Sequence, residues 1–242
     1  MKTKFLLVMV LITNFISAQD SIPVSTVESI ETHSQIFSLS PISKKVDKVN
    51  GVVFGVGHYQ NKHIEKQTIN GVNVDINPIG LGLPMFIIYL PDIINKGTLF
   101  ERQYSDAIVI IDTNYPRIQM NGLNISAGCF FTNSSMNGLN ISLLNRFNKM
   151  NGISVTPLGT QANVMNGISF GIYNGFNNCN GLSVGLLNES INTKGIQLGI
   201  YNSAHSLKGI QIGVFNMSKK NGFQLGIWNV NSKRSMPFIN WQ

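Results

Sequence analysis

The sequence is poor in charge, and its second half is almost free of acidic residues. Asp, Glu, Lys and Arg make up 12% of the 242 residues, about half of the roughly 25% that is usual in globular proteins. From Asn121 to Gln242 the only acidic residue is Glu189 and the only histidine is His205. Acid–base catalysis, glycoside cleavage and divalent-metal binding need paired carboxylates or histidines. We therefore expect a protein that is not an enzyme and uses no cofactor.

The chain also lacks a hydrophobic run long enough for a transmembrane helix. The nearest internal candidate is "IGLGLPMFIIYL", Ile79 to Leu90, which Pro84 interrupts and which is shorter than the roughly 20 residues needed to cross a bilayer. The run from Phe5 to Ile12 follows Lys2 and Lys4 and precedes Ser17 and Ala18. This order of basic, apolar and small residues predicts a signal peptide over residues 1–18, and hence an exported protein.

The basic excess is small and spread out. The formal charge is +7, and loss of Lys2 and Lys4 with the leader lowers it to +5. Lysine and arginine do not occur in runs, so the sequence gives no support for nucleic-acid binding.

What the sequence has in abundance is a short repeat. The octet G-I-Q-L-G-I-Y-N after Lys194 returns fourteen residues later as G-I-Q-I-G-V-F-N. The first glycines of successive units are Gly122, Gly138, Gly152, Gly167, Gly181, Gly195, Gly209 and Gly222. Such a period indicates that each unit buries its apolar face by stacking on copies of itself.

Within a unit the apolar residues alternate with small or polar ones. Ile196, Leu198 and Ile200 fall on one face of an extended chain, and Gln197, Gly199 and Tyr201 fall on the other. A period of two indicates a β-strand, and the glycine density is unfavourable for a helix. The fold class is therefore all-β, built from tandem repeats of about 14 residues.

Two all-β arrangements fit the repeat. We favour a β-solenoid, in which equivalent residues lie above one another about 4.8 Å apart. The alternative is an antiparallel meander or an outer-membrane β-barrel with Asn-Gly hairpins. The solenoid predicts a corner ladder of side-chain amides, and a second corner of glycines at positive φ or close approach. The ladder would comprise Asn188, Asn202, Asn216 and Asn229, and the glycine corner Gly181, Gly195, Gly209 and Gly222.

A stack also predicts the state of the two cysteines. Cys129 follows the first regular unit and Cys179 precedes the fifth, so a solenoid would separate them by roughly four layers or ~19 Å. A disulfide requires Cα atoms within about 7 Å. We expect two free thiols.

The chain divides into five segments on these criteria. Residues 1–18 form the leader, and 19–46 form a linker or an N-terminal cap. Residues 47–118 contain divergent copies of the repeat, and 119–232 contain the regular array. Residues 233–242 form a C-terminal cap, in which Phe238, Ile239 and Trp241 are available to cover the final apolar layer.

The tandem G-[LI]-Q-[LI]-G-[LI]-x-N units, the earlier "INGVNVDINPIG" and the closing "MPFINW" resemble the bacterial surface-repeat proteins. The resemblance covers roughly residues 49 to 241. It implies export to the envelope of a Gram-negative bacterium, whether outer membrane, cell surface or periplasm, and it carries no active site.

The only cluster of metal-ligand residue types is "HYQNKHIEK", with His58, His63 and Glu65, followed by Asp75. The spacing matches no standard zinc motif, so a solvated turn is the favoured interpretation and we expect no metal.

The predicted contact surface lies instead on the polar face of the repeat. Its candidate residues are Gln197, Gln211, Gln224, Tyr173, Tyr201, Phe215 and Trp228.

Flat arrays of amides and aromatic rings suit contact with a polysaccharide or a protein. The expected function is therefore a structural or adhesive module of the cell envelope, with membrane association left open. The alternative function is an outer-membrane β-barrel with an anchoring or transport role.

Overall fold

The computed structural model describes residues 33–58, 66–77, 117–128 and 133–242. The predicted leader, Cys129, His63, Glu65 and the run from Ile79 to Leu90 lie outside these ranges. The described residues form eleven strands and no helix. They are β1 (His33–Ser40), β2 (Val46–Gly55), β3 (Lys66–Asp75), β4 (Arg117–Ser126), β5 (Ser134–Ser142), β6 (Leu144–Val155), β7 (Gly159–Phe170), β8 (Tyr173–Val184), β9 (Leu187–Lys220), β10 (Phe223–Asn231) and β11 (Ser235–Trp241).

The strands are hydrogen-bonded in the order of the chain, from β1 to β11. Successive strands from β1 to β10 pair parallel, with glycine beside glycine, as in Gly167 beside Gly181 and Gly181 beside Gly195. The chain thus winds into a β-solenoid of about 10 coils, which confirms the favoured fold. The antiparallel meander and the barrel are wrong, because both require neighbouring strands of opposite direction.

A column of glycines forms one corner of each coil, as predicted. Gly195 has φ +142°, and a Cβ atom placed on it would collide with the carbonyl oxygen of Gly181 in the preceding coil. A side chain here would therefore run into the backbone of the preceding coil, at a φ that side-chain-bearing L-residues rarely adopt.

The interior contains apolar columns and several polar ones. One apolar column includes Phe147, Ala162 and Phe176. Another lies two residues before most of the corner glycines and consists of Val49, Ile69, Met120, Met136, Met150, Met165, Cys179 and Leu207, with Thr193 as its polar member. The column two residues after the glycine is polar and fully enclosed. Its members include Asn124, Asn140, Ser154, Ser169, Ser183, Gln197, Gln211 and Gln224.

Within each repeat unit the polar residue therefore points into the solenoid and the apolar residues beside it point outward, which is the reverse of the expected arrangement. Gln197 points into the solenoid, and its neighbour Ile196 points outward and is 38% exposed. An amide column is accommodated in a protein interior by hydrogen bonds among its members, and here Gln224 Oε1, at the end of the column, is the glutamine oxygen left without one.

The two ends of the described stack differ from the repeating coils. β1 pairs parallel with β2, whereas β11 turns back and pairs antiparallel with β10. Phe238, Ile239 and Trp241 do not cover the final layer, because all three are exposed. Asn240 is the buried member of β11, and its Nδ2 donates to the carbonyl of Asn229 over 3.2 Å.

Candidate interaction surface

The three glutamines predicted to form a contact surface are inaccessible. Gln197, Gln211 and Gln224 are at most 1% exposed and form a ladder in which Gln211 Nε2 donates to Gln197 Oε1 over 2.8 Å and Gln224 Nε2 donates to Gln211 Oε1 over 2.9 Å. The second hydrogen of each amide is donated to a backbone carbonyl across the coil. Their assignment to the surface is wrong, because these amides bond one another and the backbone.

The corner ladder of asparagines is present as predicted. Asn188 Nδ2 donates to Asn202 Oδ1, Asn202 Nδ2 to Asn216 Oδ1, and Asn216 Nδ2 to Asn229 Oδ1, over 2.7–2.8 Å. The first three also donate to the carbonyls of Leu198, Ile212 and Leu225 in the following coil, over 2.8–3.0 Å. The column therefore satisfies backbone groups at the turn that would otherwise be buried without partners.

The predicted aromatic residues share one column of the coils, which Leu187 interrupts and in which only Phe215 and Trp228 are exposed. Tyr173 pairs with Leu187, and Phe215 pairs with Trp228, in neighbouring coils. Phe215 and Trp228 are exposed. The Tyr173 hydroxyl donates to Glu189 Oε2 over 3.2 Å, and burial, with the adjacent Glu189 carboxylate, raises the pKa of this phenol.

An apolar face that the sequence analysis placed inside is accessible on the outside of the solenoid. It consists of two columns of Val, Leu, Ile and Phe, one directly after the corner glycine and one two residues further on, plus a third column at the next turn. Exposed members are Val52, Phe54, Ile76, Ile125, Leu139, Ile141, Ile153, Val155, Phe170, Ile172, Leu186, Ile196, Ile200, Ile212, Phe223 and Ile227. We call these columns the apolar face.

The apolar face is bordered on one side by a column of amides directly before the corner glycines. In this outer ladder Nδ2 of each asparagine donates to Oδ1 of the one in the preceding coil, from Asn70 onto Asn50 through to Asn180 onto Asn166. The next two positions of the column are Lys194 and Lys208. The aromatic row lies on the other side of the face, in the coils from Tyr173 onward.

His58 and Asp75, from the suggested metal cluster, take part in a buried hydrogen-bond network. His58 Nε2 lies 2.8 Å from Asn73 Oδ1, Asn73 Nδ2 donates to Asp75 Oδ2 over 2.8 Å, and Ser126 Oγ donates to Asp75 Oδ1 over 2.5 Å. Burial lowers the pKa of His58, although Asn73 and Asp75 oppose the shift. The network links neighbouring coils, and within the described ranges no three His, Cys, Asp or Glu side chains form a metal-ligand group.

Cys179 is a free thiol inside the apolar column, and burial raises its pKa to about 12. Since the thiolate is the reactive form, we expect this thiol not to react with Ellman's reagent at pH 8 until the solenoid unfolds. The measurement uses a Cys129→Ser variant, so that Cys179 is the only thiol. Rapid labelling of the folded variant would contradict the placement of Cys179 in the core.

The comparisons with known proteins identify no relative. No protein-family model, curated protein or solved structure matches the chain. Among the residues that the structure describes, no helix has the length and hydrophobicity required to cross a membrane.

Proposed function

We propose that the protein is a non-enzymatic, exported repeat module of a Gram-negative cell envelope, with a structural or adhesive role. The observation that carries this proposal is the stack of about 10 coils, which repeats each outward side chain every ~4.8 Å. Such a scaffold offers extended, regular surfaces rather than a pocket.

The interior supports a mechanical role. Several amide ladders connect successive coils, and two of them also tie backbone carbonyls to side chains. Each repeat contacts only its neighbours in a solenoid, so the rigidity of the array accumulates along the axis. A rigid array with equivalent groups at fixed intervals suits a flat or repetitive partner, such as a polysaccharide or a protein surface.

Two features of the sequence support export. One is the order of basic, apolar and small residues in residues 1–18, and the other is the resemblance to surface-repeat proteins. The test is fractionation of a Gram-negative host that produces the full chain with a C-terminal epitope tag. We expect the tagged chain in the envelope or periplasm, with a new N terminus at Gln19 after cleavage of the leader.

The matched control lacks residues 2–18 and should remain in the cytosol. Recovery of the intact full chain from the cytosol, with Met1 retained, would contradict the proposed location. Protease added to whole cells then distinguishes a surface position from a periplasmic one.

A further inference from the structure

The apolar face has no partner among the described residues, although it extends over most of the coils. Its two main columns lie two residues apart on each strand, about 7 Å, and its length over ten coils is ~45 Å. With the turn column, this amounts to roughly 600 Å², the upper end of the largest apolar patches on soluble monomers. A contiguous patch of this size is expected to contact another apolar surface.

The backbone beneath this face is suited to a nonpolar environment. Each strand from β2 to β10 is hydrogen-bonded to neighbours on both sides, so the peptide groups of the face require no water. Entry of a protein surface into lipid is costly chiefly where backbone groups lack partners. The in-register coils remove that cost along the whole face.

The C-terminal coils, residues 187–242, add cationic and aromatic borders to this face. Lys194 lies two residues before Ile196, and Lys208 two before Ile210, in the column that holds asparagines in most other coils. No acidic residue follows Glu189, whereas six exposed basic residues do. They are Lys194, Lys208, Lys219, Lys220, Lys233 and Arg234.

The aromatic border and the C-terminal strand extend the same surface. Phe215 and Trp228 stand at the turn that ends the face, and Trp241 and Ile239 continue its two columns because they pair with Phe223 and Leu225. The Arg234 guanidinium lies 4.4 Å from the centre of the Trp241 ring. Aromatic rings and basic side chains on apolar stems are the residues favoured at the boundary between lipid and water.

We propose that the apolar face of the C-terminal coils docks onto the surface of an anionic lipid bilayer. The rows of Ile and Leu enter the acyl region to the depth of a side chain, as interfacial amphipathic segments do. Lys194 and Lys208, which border the face, meet the lipid phosphates. A second copy of the chain offers an equally apolar surface but brings the same lysines to the interface and no acidic residue after Glu189, so charge complementarity favours the lipid.

The test is flotation of the mature chain, residues 19–242, with vesicles of phosphatidylcholine alone or with 30% phosphatidylglycerol. We expect flotation with the anionic vesicles, a loss with rising salt, and little binding to phosphatidylcholine. No flotation of the folded chain with anionic vesicles overturns the proposal. So does a stable dimer in sedimentation equilibrium that replaces vesicle binding.

Two variants separate the contribution of the lysines to vesicle binding from that of the exposed isoleucines. In Lys194→Asn/Lys208→Asn, each lysine becomes the residue that the outer ladder carries elsewhere, so folding is preserved, and we expect about tenfold weaker binding to anionic vesicles. In Ile196→Thr/Ile212→Thr/Ile227→Thr, the exposed apolar area falls while β propensity is kept, and we expect tenfold or greater weakening. Unchanged binding in either folded variant overturns the proposal.

Arg146→Gln/Lys149→Gln is the matched control, because it also removes two exposed cations but in an earlier coil. Its binding should change less than that of Lys194→Asn/Lys208→Asn. The docking proposal builds on the proposed function, because it gives the envelope module a lipid bilayer as its partner. The vesicle experiment itself does not depend on export. A failure here leaves the fractionation result standing, and cytosolic recovery of the chain leaves the vesicle result standing.

Discussion

Replacement of Gly195 by alanine should destabilise the solenoid by about 3–5 kcal/mol. The residue has φ +142°, and the added methyl group would collide with the carbonyl oxygen of Gly181. That oxygen belongs to the backbone of the adjacent coil, so relief requires the coils to move apart and weakens their hydrogen bonds on both sides. The measurement is the free energy of unfolding from urea titration followed by circular dichroism.

Gly175 provides a matched glycine control. It has no positive φ, and an added methyl group would overlap the hydroxyl end of the Tyr173 side chain, so relief requires a side chain to shift and not the backbone of an adjacent coil. The residues beside it in neighbouring coils, Gln161 and Glu189, carry side chains in the same row. Gly175→Ala should therefore change stability by no more than about 1 kcal/mol. Equal losses from both substitutions would show that close approach at the glycine corner is not the cause.

Substitution of aspartate for Asn202 should cost about 3–5 kcal/mol at neutral pH. The amide of Asn202 is buried and donates to the carbonyl of Ile212 and to Asn216 Oδ1. A carboxylate has the same shape but no hydrogen to donate, and it would face two acceptor oxygens. The cost is therefore electrostatic, and it can be measured as the shift in the urea midpoint.

This loss should depend on pH in a defined direction. Burial among acceptors raises the pKa of the introduced carboxyl above its value of about 3.9 in the unfolded chain. The destabilisation is then complete above the raised pKa, and it diminishes as the pH falls towards 4 because the protonated carboxyl can donate once. The control is Asn192→Asp at an exposed position, where we expect about 0.5 kcal/mol or less. A loss that is independent of pH would contradict this mechanism.

The fold was predictable because it depends on spacing. The interval of about 14 residues and the alternation around Ile196 indicate stacked strands, and the requirement for glycine at Gly195 indicates a tight corner. Asn202 and its equivalents were assigned to their ladder for the same reason. These inferences need only the order of residue types along the chain, which the sequence contains in full.

The direction of each side chain was not predictable in the same way. Alternation separates Ile196 from Gln197 without saying which of them points inward, and the usual preference for apolar interiors gave the wrong answer. A signal was available in the repeats themselves, since the position of Gln197 holds Asn, Ser or Gln in many coils and never a charged residue. A solvent-exposed polar column would be expected to include lysine or glutamate somewhere.

The candidate surface in the structure differs from the predicted one because the directions of the side chains were not predictable. The aromatic residues Phe215 and Trp228 remain accessible as predicted, but the glutamines are interior groups. Lys194 and Lys208 gained importance only when the structure placed Ile196 and Ile210 outside beside them. Their effect depends on the apolar columns facing outward, which the sequence leaves undetermined.

The amide ladders differ in the direction in which they donate along the solenoid axis. In the column from Asn188 to Asn229 each side chain donates towards the C-terminal coil, whereas the glutamine column and the outer asparagine column donate towards the N-terminal coil. Side-chain dipoles aligned head to tail polarise one another. In the C-terminal coils the inner asparagine column and the glutamine column point in opposite directions, so each is strengthened by its own alignment while the dipoles of the two columns partly cancel.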